Sequence, residues 1–136
     1  MAKRSQDILR NAHESKHRQS LSRAFFQILE HWKLSNEEKA KMLGWSYATK
    51  RHTLDALKRG QKQMDMDDDK LRRMIEVLNI HKNLRILFPH SRSSLYAWVT
   101  KKRHRFGDHS ALDIMMEEGL LGMIAIRRYL DHVRTM

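Results

Sequence analysis

Two short stretches have the residue types and spacing of catalytic or metal-binding motifs, and both fail on their surroundings. His13-Glu14-Ser15-Lys16-His17 matches the H-E-x-x-H spacing of zinc hydrolases, in which two imidazoles one helical turn apart hold the metal and the glutamate activates its water. That chemistry needs a buried helix and a further ligand. Here the flanking residues are polar and basic with no apolar face, and no third ligand follows at a fixed interval, so the segment reads as part of a solvated arm. Asp65-Met66-Asp67-Asp68-Asp69 with the later Glu76 imitates a calcium loop, but Lys70 stands where the sharp turn at position six demands glycine. The acids lead directly into the helical spacing Leu71, Met74, Ile75, Leu78, so an acidic helix N-terminus accounts for them. No glycine-rich phosphate cradle and no nucleophile motif is present. The expectation is therefore no catalytic residue, no metal and no cofactor, in a protein that acts by binding.

Charge narrows what it binds. The 27 Lys and Arg against 16 Asp and Glu leave a net charge of +11, spread along the chain with a concentration near the N-terminus. Such a field favours a polyanion, because each neutralised phosphate releases counterions; good solubility is the plainer reading. With no cysteine, disulfides and thiolate metal sites are excluded, and a reducing cytoplasm is the expected location. No apolar run reaches membrane-spanning length, so no membrane association is expected. A single proline and five glycines point to helices joined by short turns, an all-α fold of one modest core or two small helical halves.

In chain order, residues 1–20 read as a flexible or weakly helical basic arm, able to lie along DNA or to order on binding. Leu21, Ala24, Phe25, Ile28, Leu29 and Trp32 recur at helical spacing and predict a packed helix to about Lys33. Ser35 and Glu38 have capping-box spacing. Ala40, Leu43, Gly44 and Trp45 then suit the first helix and turn of a helix-turn-helix, with Ser46 capping a second helix through about Leu57 and Gly60 closing it. On that second helix Ser46, Tyr47, Thr49, Lys50 and Arg51 are the types that reach phosphates and base edges in a major groove. The alternative is a helix-turn-helix kept only as scaffold or dimer surface. Residues 21–66 form this region and residues 67–136 a second helical domain. In the latter, the apolar spacing from Leu71 to Phe88 stops at Pro89. Leu95, Trp98 and Val99 predict a further helix. The basic run Lys101 to Arg105 is either a solvated linker or a contact for phosphate or acidic groups. Ser110 and Asp113 form a second capping box, Gly119 suits a left-handed helix end, and a last helix runs to about Arg134.

The order Trp98, basic linker, Phe106-Gly107, Ser110-Ala111-Leu112-Asp113-Ile114-Met115, Glu118-Gly119-Leu120, Ile126-Arg127-Arg128-Tyr129-Leu130 resembles the toxin-binding domain of Xre/ParS-type antitoxins. The upstream helix-turn-helix is similar to the Xre type. The chain departs from the pattern at Ala111, where proline is usual, at Lys102-Arg103, where Pro-Asn is common, and at Lys50 and Thr53, usually apolar or aromatic. The resemblance implies a partner toxin, commonly a RES-type enzyme that consumes NAD, and operator DNA bound by a homodimer. It also implies toxin contacts among Trp98, Phe106, Gly107, Leu112, Asp113, Arg127, Arg128, Tyr129 and Arg134. For Leu112, Asp113 and the arginines, core packing, capping and solvation are competing roles. Two other functions stay open: a dimeric helix-turn-helix regulator without a toxin, and a metallohydrolase using His13 and His17.

Overall fold

The computed structural model describes residues 15–59 and 67–136, and within them the chain is all-α. Helix α1 (Ser15–His31) begins within the stretch expected to be an arm, so residues 15–20 are helical. The expectation for residues 1–14 lies outside the described residues, as do His13 and Glu14. Helix α1 closes in a Schellman motif: Leu34 N–H bonds Leu29 C=O, Lys33 N–H bonds Glu30 C=O, and Lys33 takes φ +60°. Leu34, buried, packs down where this motif places its apolar contact.

Helix α2 (Asn36–Met42) starts at a complete capping box. Glu38 N–H donates to Ser35 Oγ at 3.2 Å, and Ser35 N–H to Glu38 Oε1 at 2.9 Å. It ends in a second Schellman motif at Gly44, φ +75°, with Trp45 N–H reaching Ala40 C=O. Helix α3 (Tyr47–Lys58) follows at once. Gly60 and residues 61–66 lie outside the described residues, Asp65 and Met66 among them.

Helix α4 (Asp68–Leu87) is the centre of the molecule. Asp67 caps it by accepting from Lys70 N–H at 3.0 Å, so the acidic run is a helix start. Leu71, Met74, Val77, Ile80 and Leu84 are fully buried because α4 is packed by α1, by α5 (Arg92–Thr100) and, over its longest contact, by α7 (Leu120–Arg134). Between α5 and α7 run a 3-10 turn (His104–Phe106) and α6 (Ala111–Glu118), which packs on α7, α5 and α2. One apolar cluster extends through Phe25, Leu43, Leu54, Met74, Met115 and Leu130. Helix α4 packs against helices that precede it and helices that follow it within this cluster. Among the described residues, no helix is long and apolar enough to cross a membrane. The same residues contain no cluster of His, Asp and Glu side chains that could hold a metal ion.

Candidate functional site

Helix α3 turns one side into the core through Leu54 and Leu57 and leaves its N-terminal turns outside. Ser46, Thr49, Lys50 and Arg51 are exposed and Tyr47 is half-buried. Ser46 occupies the N-cap position but its hydroxyl does not cap; its carbonyl instead accepts from Thr49 Oγ1 at 3.1 Å, which corrects the expected cap. Lys50, placed where an apolar residue is usual, lays its ammonium 5.5 Å from the centroid of the Trp45 ring, a cation–π contact that keeps its stem against the turn.

The C-terminal residues singled out from the sequence separate into three groups. Trp98, Phe106 and Tyr129 form one aromatic cluster. Phe106 meets Tyr129 edge-on at 5.1 Å and Trp98 edge-on at 6.2 Å, while Trp98 and Tyr129 are stacked at 6.3 Å. Gly107, at φ +66° and ψ 33°, closes the 3-10 turn that delivers Phe106 to the cluster, a left-handed conformation glycine adopts without cost. The basic run is ordered upon these rings: Arg103 sits 4.7 Å from the Trp98 centroid, and Arg105 lies 5.6 Å from Tyr129 and donates to its hydroxyl at 3.0 Å. An isolated antiparallel bridge between Arg103 and His109 shuts the loop.

Leu112 and Asp113 belong to the start of α6. Asp113 accepts from Ser110 N–H at 3.0 Å and donates its own N–H to Ser110 Oγ at 3.0 Å. The Ser110 backbone bond holds its carboxyl below the usual carboxylate range. Leu112 is half-buried against the core. Gly119, between α6 and α7, has φ +64° as expected but ψ −134° rather than a left-handed value; that region is open essentially to glycine alone.

Arg127 is occupied inside the chain. Its guanidinium donates to Glu76 at 2.7 Å and 3.4 Å and to Asp131 at 3.0 Å. Arg72 adds a second contact to Glu76 at 3.3 Å, and the buried Asn83 donates to Asp131 at 2.8 Å. Glu76 is 2% exposed, so this network ties α7 to α4. The bond to Glu76 raises the Arg127 pKa. Asp131 is pulled two ways: desolvation pushes its pKa up, and the bonds from Asn83 and Arg127 bring it below the ordinary value. Arg128 and Arg134, by contrast, are exposed.

Sequence reasoning missed Arg73. This α4 residue pairs with Asp69 at 3.1 Å and donates to Met42 C=O at 3.3 Å. Its guanidinium lies so near both Gly44 and Gly119 that a Cβ on either would stand 3.1–3.2 Å from it. The turn before α3 and the turn before α7 therefore rest on one side chain. No local signal marks it, since both contacts are long-range. Arg105 was named only as part of a basic loop, and Leu121, 76% exposed, was passed over; an apolar residue on the outer side of α7 was the available clue.

Residues 83–135 match the antitoxin Xre/MbcA/ParS C-terminal toxin-binding domain, a span that takes in the end of α4, α5, the basic loop, α6 and all of α7. The chain is also 32% identical over 111 residues to an uncharacterized protein, y4oB, of Sinorhizobium fredii, covering 82% of this chain and 81% of that relative. No solved structure matches. The matched residues build the aromatic cluster and the helices around it, and the chain belongs to the Xre/MbcA/ParS antitoxin family, with an antitoxin role in a toxin–antitoxin pair.

Proposed function

We propose that this antitoxin neutralises a RES-type, NAD-consuming toxin through its C-terminal helices and represses its own operon by placing α3 in the major groove of operator DNA as a homodimer. The observation that carries the reading is the toxin-binding domain matched over residues 83–135, folded as a platform of α5, α6 and α7. Support for the DNA half comes from the exposed Thr49, Lys50 and Arg51 at the start of α3, together with the net charge of +11. A homodimer fits because one such helix reads a short half-site and two copies read a palindrome.

In this reading residues 21–66 serve DNA and residues 67–136 serve the toxin. Arg128 and Arg134 are free to reach the partner. Trp98, Phe106, Gly107 and Tyr129 shape the platform, and Leu112 with Asp113 sets the start of α6. Arg127 contributes by holding α7 in place, since direct contact would leave Glu76 buried without its best partner.

Co-expression with the protein encoded by the neighbouring gene tests the proposal. Growth arrest and NAD depletion by that protein alone, relieved by this chain with a stable complex on gel filtration, is the expected result. Absence of both toxicity and complex would leave a dimeric DNA-binding regulator as the better account. A palindromic footprint upstream of the gene, needing roughly tenfold more protein when Arg51→Ala is introduced, is expected for the DNA half.

A further inference from the structure

Along α7, Leu121, Ala125, Arg128 and His132 are all exposed, and their spacing of four, three and four residues puts them on one face. This stripe runs for roughly 16 Å at the helical rise. Leu121 at its head is 76% exposed, far more than a leucine packed on its own chain. Beside it, Arg105 is tethered to α7 through the Tyr129 hydroxyl and ring, next in sequence to Arg128. Among the described residues no carboxylate forms an ion pair with Arg105 or Arg128. Arg127, on the opposite side of α7, is consumed by Glu76 and Asp131; these two are not.

We infer that this outer stripe of α7, with Leu121 as its apolar anchor and Arg105 and Arg128 as its charged rim, is the surface that meets the toxin, and that the toxin presents to it an acidic face with an apolar pocket. This deepens the proposed function and rests on it. Three occupants compete, and their chemistry separates them. A nucleic-acid backbone would use the cations but offers nothing to an isolated leucine. A second copy of this chain, meeting the same patch about a two-fold axis, would bring like charges together. An acidic protein surface with a pocket takes both, the leucine as a central anchor and the cations as steering groups.

The test uses the full chain and the purified product of the neighbouring gene. Leu121→Asp lies in the first turn of α7, where a carboxylate favours the helix dipole, so the variant keeps its fold, checked by an unchanged melting curve. Its affinity for the toxin is expected to fall at least a hundredfold, and that of Leu121→Ala about tenfold. Arg105→Gln combined with Arg128→Gln is expected to slow association several-fold at low salt, with the difference vanishing at high salt. Wild type that does not bind the neighbouring protein removes both this inference and the proposed function. Wild type that binds while Leu121→Asp binds equally well removes this inference alone. It is also overturned if the substitutions spare toxin binding but weaken association with a random DNA duplex, or convert a wild-type dimer to monomer in sedimentation.

Discussion

Helices α3 and α7 each carry two adjacent cations, Lys50-Arg51 and Arg127-Arg128, and the chain treats the two pairs differently. On α3 both point outward, with Lys50 resting on Trp45. On α7 the pair is split: Arg127 turns onto Glu76 and Asp131, while Arg128 faces solvent. Both pairs are basic, and what differs is the helix behind them. Behind α3 lies an apolar contact through Leu54 and Leu57; behind α7 lies α4 with a carboxylate 2% exposed, which can be buried only with a cation against it. A basic residue in a binding domain is thus no evidence of a binding role until its neighbours are known.

The sharpest way to break this comparison is to neutralise the inward cation. Arg127→Met should cost about 3 kcal/mol of folding stability, because Glu76 then keeps only the longer Arg72 contact in a buried site. Arg51→Ala should cost next to nothing. Urea denaturation of the two variants decides it, and equal midpoints would show that the α4–α7 network holds little.

Under the proposed DNA-binding role of α3 the ranking should invert. Removing Lys50 or Arg51 should weaken operator binding by roughly tenfold and lower the salt-dependence slope by about one for each phosphate no longer neutralised. Arg127→Gln, assayed where it remains folded, should leave the slope alone. Smaller again is the capping box of α6: Ser110→Ala should cost about 1 kcal/mol, with toxin affinity falling only as far as the start of α6 frays.

The gentlest probe is acid. Because the folded-state pKa of Asp131 lies below its ordinary value of 3.8, its stabilising contribution is complete above that value and disappears as pH falls through the depressed one. The side chain is 41% exposed, so solvent screening keeps the effect small. Asp131→Asn should therefore flatten the acid limb of a stability profile below about pH 4 while leaving the neutral plateau lower than wild type.

Most of the helices were legible from the sequence because their signals are local. Ser35 with Glu38, and Ser110 with Asp113, announce helix starts within four residues, and Gly44 and Pro89 announce stops. The toxin-binding domain was legible from the order of residues between Trp98 and Leu130. The partner of Arg127 was not, because Glu76 lies on another helix and an ion pair across that separation leaves no periodic trace. The same holds for the stacking that orders the basic loop: Arg103 and Arg105 read as a charge run because nothing in the run itself says that Trp98 and Tyr129 will stand beneath them. The start of α1 was placed late for a different reason. Residues 15–20 show no apolar period, and their helicity follows from continuity with the packed turns after Leu21.

Arg73 carries a consequence for how the molecule tolerates change. The corners that aim α3 and α7 both lean on its guanidinium, so an alanine at Gly44 must nudge that group aside and an alanine at Gly119 must nudge it again. Once the first has been accommodated the second finds the obstacle already displaced, and the double replacement should be milder than the two single costs added together. Each alanine also carries its own positive-φ strain, so the two bends, far apart in the chain, are coupled only through the share of their cost that falls on Arg73.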